Sequence, residues 1–169
     1  MGERLTQGDV DKIKEEIEYR KLVVRKRELE AVKVARAQGD LSENFEYKAA
    51  KQDKNRNESR IRYLERMLKN AQIVDVTSAD DEVGINNIVT VYFEDEEEEE
   101  TYRLVTSIRS NSMENLVSIE SPIGRAILGH KVGETVFVQV GDAPGAGYEL
   151  TIRGIEKAND ESGDKIKNF

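Results

Sequence analysis

Asp40 and Glu43 are the side chains in this sequence whose types and spacing could do chemistry. Three residues apart at a helix start, they converge on one side, where two carboxylates could share a hard cation such as Mg²⁺. Two carboxylates are too few for a tight site, because Mg²⁺ keeps several waters and needs further ligands. Any metal work would have to be completed from outside the chain. The competing reading is local: Asp-x-x-Glu is also a capping box, acids in a first turn are favoured by the helix dipole, and Gly39 needs only to be a helix stop. Around the pair, Arg36, Lys48, Lys51, Lys54 and Arg56 supply positive charge that could track a nucleic-acid backbone, diluted by Glu46 and Asp53.

Composition removes most other chemistries. With no Cys among 169 residues, disulfides, thiol nucleophiles and thiolate zinc sites are excluded. A Ser-His-Asp triad or a histidine metal cage would rest on His130 alone, which reads as an exposed turn residue. No apolar run is long enough to span a membrane, and the amino terminus lacks the apolar stretch of a signal peptide. A soluble, cytoplasmic protein is expected.

The elements that must position the acidic pair follow from charge and period. Residues 1–76 carry 18 Lys and Arg against 15 Asp and Glu, whereas 77–169 carry 8 against 19, and both prolines lie in the second part. This contrast predicts two domains, 1–76 helical and 77–157 mixed, with 158–169 a loose polar tail. In the first, Val10, Ile13, Ile17, Val24 and Ala31 recur at coiled-coil spacing, as do Ile61, Leu64, Leu68 and Ala71. Neither stripe can bury itself alone, and only 38–42 looks like a turn, so the economical solution is an antiparallel helical hairpin. A helix over about residues 6–38 would be roughly 50 Å long. Residues 39–44, with both acids, then sit at the tip of a long stalk, which an ordinary turn does not need.

Beyond Val76 the period becomes two, predicting strands at 88–93, 102–106, 115–119, 135–140 and 148–155 and one short helix at 122–128. Glu94-Asp95 and the five glutamates after it repel one another and read as a solvated loop. The fold class is α+β, in two domains.

The stretch from Ala35 to Lys51, centred on Gly39-Asp40-Leu41-Ser42-Glu43-Asn44 and Glu46-Tyr47, resembles the tip of the Gre family of bacterial transcript cleavage factors. The likeness continues through Asn70-Ala71-Gln72-Ile73-Val74-Asp75 and the block from Ser121-Pro122-Ile123-Gly124 to Gly129, covering residues 5–157 in order. It implies a coiled-coil hairpin followed by a small FKBP-like domain. It also implies a factor that binds RNA polymerase, enters its secondary channel and activates the polymerase's own Mg²⁺-dependent cleavage of backtracked RNA, without being an enzyme itself. On that resemblance Asp40 and Glu43 match the acidic tip pair that helps hold Mg²⁺ in the polymerase complex, so the chain needs no cofactor of its own. Arg36 and Lys51 match a basic patch facing the displaced RNA 3′ end, and Glu120, Ser121 and Pro122 fall where the family docks on the channel rim. For Ser121-Pro122 the plainer reading is a helix start. Tyr92, Phe93, Tyr102, Phe137 and Tyr148 fall at strand positions that suit a core.

Two rival readings remain. A Gre-type paralogue would occupy the same channel and inhibit, but such tips depart from the Gly-Asp-Leu-x-Glu-Asn pattern kept at 39–44. A chaperone or prolyl isomerase would present exposed apolar residues at the tip, where only Leu41 and Phe45 are apolar. The helical stripes are used up by the hairpin, which favours a monomer.

Overall fold

A computed structural model describes residues 2–39 and 44–168. The chain divides into two compact units, one built on Asp9–Gln72 and one on Ile73–Asn168 together with Arg4–Gly8.

In the first unit, α1 (Gln7–Tyr19) passes through one π turn at Arg20–Val24 into α2 (Arg25–Arg36), and α3 (Phe45–Asn70) returns antiparallel to it. Val10, Ile13 and Val24 are buried as the stripe predicts, but Ala31 is exposed and Ala35 is buried in its place. Val24 and Ala35 are eleven residues apart, three turns of an unsupercoiled helix, so beyond the π turn the inward stripe leaves the heptad. On α3, Ile61 and Leu64 are buried and Met67 lies deeper than Leu68.

The middle of the hairpin is polar, which the stripes did not reveal. Arg60 Nε donates to Glu16 Oε2 at 2.8 Å, and Arg20 donates to the same carboxylate at 2.7 Å and to Asn57 Oδ1 at 3.0 Å. One turn further, Arg25 grips Glu58 through two hydrogen bonds of 2.9 and 2.8 Å. Asn57 and Arg60 are buried at positions a coiled coil would fill with aliphatics. Paired guanidinium and carboxylate groups there fix which residue faces which, a register role that aliphatic contacts alone do not fulfil.

A two-stranded ribbon pairs β1 (Arg4–Leu5) with β2 (Gln72–Ile73). The second unit holds a five-stranded sheet: β3 (Ile88–Phe93), β4 (Glu98–Val105), β5 (Leu116–Ser118), β6 (Thr135–Gln139) and β7 (Gly147–Glu156), with α4 (Pro122–Ile127). The strand order is β5-β4-β3-β7-β6, antiparallel except for β4 with β5. A bulge in β7 at the Thr90/Val91 register shift lets Leu150, Ile152 and Ile155 all face the core despite their odd spacing.

Three expectations are corrected here. The acidic run is not only a loop: Glu98, Glu99 and Glu100 begin β4, pairing with Phe93, Tyr92 and Val91, because the ladder is made by backbone groups that tolerate exposed charged side chains. The core is aliphatic, with Val83, Val89, Val91, Leu104, Ile119, Val138, Leu150 and Ile152 nearly inaccessible. Phe93, Tyr102 and Tyr148 only flank it, and Phe137 is 46% exposed. Finally, the segment after Lys157 is tied down. Asp164 accepts from Arg103 at 2.6 Å and from Arg109 at 2.8 Å, Glu161 accepts from Thr6 and Asn86 at 2.7 Å each, and Lys167 N–H donates to the Ile108 carbonyl. Ion pairing leaves no periodic trace in a sequence, so the segment read as patternless.

Candidate functional site

Asn44 organises the described part of the hairpin tip. Its backbone is extended (φ −84°, ψ 93°), its side-chain oxygen accepts from Tyr47 N–H at 2.9 Å, and its amide donates to the Ala35 carbonyl at 2.6 Å. One side chain thus caps the first turn of α3 and satisfies a carbonyl in the last turn of α2, two groups that helix ends leave open. Before it, Gly39 adopts φ +134°, a conformation that favours glycine, with no neighbour that a Cβ would meet. The Gly39 requirement is therefore conformational.

Asp40 and Glu43 lie outside the described residues. Their place in the chain still answers the capping question, because α3 begins at Phe45 with Asn44 as its cap. The N-cap position that the sequence offered to Asp40 is held by Asn44. Among the described residues no three Asp, Glu or His side chains converge as a metal site would require.

Arg36 packs against Tyr47, whose hydroxyl also feels the charge of Lys51. Arg36 Nη2 donates to the phenol oxygen at 3.3 Å and its guanidinium lies 5.5 Å from the ring centroid. That hydrogen bond, with the charges of Arg36, Lys51 and Lys54, holds the Tyr47 hydroxyl below its ordinary pKa of 10.0 against a smaller opposing effect of burial. One residue before the first turn's acid, Phe45 is 78% exposed, with the Lys48 ammonium 5.6 Å from its ring. The sequence singled out Phe45 only as an apolar exception at the tip and Tyr47 only within the family likeness. Their signal was an aromatic at each of positions 45 and 47 interleaved with basic residues. Asp53 pairs with Arg56 at 3.7 Å, so one acid and one base of the patch offset each other.

In the second unit, Glu120, Ser121 and Pro122 form the entry to α4. Ser121 Oγ accepts from Gly124 N–H at 3.1 Å and donates to the Ser118 carbonyl at 2.6 Å, and Pro122 occupies the first turn. A Cβ at Gly124 would overlap the Ser118 carbonyl, so glycine is what lets the helix sit against the end of β5. Ser121 is therefore a cap, while Pro122 and Glu120 are exposed, Glu120 accepting from Arg4 Nε at 2.7 Å.

Two family descriptions match: "Transcription elongation factor, N-terminal" over residues 3–73, and "Transcription elongation factor, GreA/GreB, C-term" over 78–157. Among curated relatives, the transcription elongation factor GreA of Thermoanaerobacter pseudethanolicus is 46% identical over 154 residues, covering 90% of this chain and 96% of that protein. GreA of Caldanaerobacter subterraneus subsp. tengcongensis is 48% identical over 137 residues (80% and 87%), and GreA of Brucella anthropi 40% over 153 (90% and 96%). Of solved structures, the GreA factor homolog 1 (Gfh1) of Thermus thermophilus is 26% identical, covering 93% of this chain and all of that one at a TM-score of 0.38, too loose an overlay to compare sites. The family descriptions together account for nearly the whole chain, and the relatives carry the elongation-factor name rather than that of a chaperone or an isomerase. The chain belongs to the GreA/GreB family of transcription elongation factors.

Proposed function

We propose that this elongation factor binds RNA polymerase, inserts its hairpin into the secondary channel and stimulates the polymerase's intrinsic Mg²⁺-dependent cleavage of backtracked RNA. The chain is not itself the catalyst. The observation that carries the reading is the Asn44 cap: Asn44 closes the first turn of α3 and bonds the Ala35 carbonyl in the last turn of α2, so the N-cap of α3 is supplied without Asp40 or Glu43. Two hard oxygen donors suit Mg²⁺, and two are too few to retain it, so the remaining ligands come from the polymerase. Bound there, the ion would lower the pKa of an attacking water or steady the leaving oxygen of an in-line displacement. Asp40 and Glu43 hold and orient; Arg36 and Lys51 draw the phosphates of the displaced RNA 3′ end toward the tip, with Tyr47 keeping the Arg36 fork in place. Glu120 and Pro122 contact the channel rim, with Ser121 shaping the turn that presents them. The acidic second unit repels nucleic acid, which suits a protein contact.

The test is cleavage in stalled, backtracked elongation complexes with Mg²⁺. The wild type accelerates RNA cleavage, and Asp40→Ala or Glu43→Ala abolishes the acceleration while polymerase binding is retained. Binding without stimulation by the wild type would overturn the reading in favour of an inhibitory occupant of the channel.

A further inference from the structure

The inner face of the sheet does not end where its core ends. Residues paired across antiparallel strands share a face, so Glu98, Glu100 and Tyr102 lie on the same side as their partners Phe93, Val91 and Val89. Val89 and Val91 are wholly buried, yet one step outward the same face carries carboxylates. There it opens into a cavity of about 330 Å³, walled by Phe93, Tyr102, Tyr148 and, from α4, Ile123. Phe93 and Tyr148 are tilted together at 5.7 Å between centroids. Asp95, Glu96 and Glu149 complete the rim, and none of the described residues lining it is basic.

The outer face of the same hairpin shows what is missing. There Glu99 is met by Arg153 at 3.3 Å, and the Arg153 guanidinium lies 3.8 Å from the Tyr92 ring. On the inner face the same chemistry, aromatic rings beside glutamates, has no cation from this chain among the described residues. The cavity deepens that contrast, since an apolar stem fits against Ile123 and Phe93 while a charged head meets Glu98 and Glu100. Burial, together with Glu100 and Glu96, raises the Tyr102 phenol, and burial with Tyr102 and Glu96 raises that of Tyr148, so both stay neutral donors at pH 7.

We propose that this pocket receives an arginine or lysine side chain, flanked by apolar residues, from an exposed segment of a partner protein. The carboxylate rim repels the phosphates of a nucleic acid, which leaves a basic protein segment as the occupant. The inference does not depend on the tip carboxylates, and the two stand or fall separately.

The experiment is an NMR titration of the full chain with an end-capped five-residue peptide carrying a central arginine between two leucines. The arginine peptide should give saturable shifts at Ile123, Tyr102 and Tyr148, and the same peptide with glutamine should not. Glu98→Gln combined with Glu100→Gln should weaken binding at least about tenfold, the loss of one charge-assisted contact. Glu99→Gln, which removes a charge from the opposite face of the same strand, should leave it unchanged. These exposed strand positions do not carry the core, and the variants' own spectra report that the fold is kept. The proposal is overturned by any of four results: no saturable shift, equal weakening in the Glu99→Gln variant, equal binding of spermidine, or shifts that grow with protein concentration in the absence of peptide, which would indicate a second copy of the chain as occupant.

Discussion

Arg60 and Glu16 meet at 2.8 Å across the hairpin, with the Arg60 side chain 4% exposed and Glu16 also held by Arg20. Burial by itself would raise the Glu16 carboxyl, but hydrogen bonds and charge from the two arginines outweigh it and hold it below its ordinary 4.5. A carboxyl whose pKa is depressed in the fold contributes stability above its unfolded value and loses it as pH falls through the folded one. The hairpin should therefore weaken progressively below about pH 4.5. Glu16→Gln should cost about 2 kcal/mol at pH 7, where it leaves Arg60 less well paired, and should flatten that acid limb. Thermal melts followed by circular dichroism at pH 7 and pH 3.5 measure both effects.

At the tip, Asn44→Ala should cost about 1 kcal/mol through the lost cap. Asn44→Asp keeps the acceptor for Tyr47 N–H but cannot donate to the Ala35 carbonyl, so it should restore the cap without the stitch to α2. Hydrogen exchange should then show protection recovered in the first turn of α3 and lost at the end of α2. Recovery at both ends would refute the bridging role of the amide.

Removing the residues after Lys157 should unfold or soften the second unit, although the family match already ends there. Arg109, 1% exposed, would lose the carboxylate of Asp164 at 2.8 Å and that of Glu161 at 3.8 Å. An under-compensated buried charge costs about 3 kcal/mol or more. The expected readout is a clear fall in denaturation midpoint, reproduced in large part by Asp164→Asn alone.

Tyr47 reports on the basic patch. Its phenol is held below 10.0 chiefly by the hydrogen bond from Arg36, with a lesser effect from Lys51. Arg36→Ala should raise its titration midpoint and Lys51→Ala should raise it less, as followed by the phenolate absorbance against a Tyr47→Phe reference. An unshifted midpoint in Arg36→Ala would show that the contact does not persist in solution.

Much of this was legible from residue types in order. The two helices, the five strands and the short α4 follow from periods of about 3.6 and 2, and the tip block carried the family. What periodicity could not give was anything settled by pairing between distant residues. Arg60 and Asn57 look like surface residues until Glu16 and Arg20 lie opposite them. Glu98 to Glu100 look like a solvated loop until β3 supplies backbone partners. Glu161 and Asp164 look like a tail until Arg103 and Arg109 turn toward them.

The sequence by itself determined the helical hairpin and the five strands of the second domain, because hydrophobic period and turn residues act over a few neighbours. Only the tertiary structure decided that Asn44 rather than Asp40 caps α3, that the core is aliphatic with its aromatics at the edge, and that the acidic strand continues an apolar face. Those outcomes depend on which groups compete for the same carbonyl, cavity or ladder, and such competition is resolved only when residues far apart in the chain are brought within hydrogen-bonding distance.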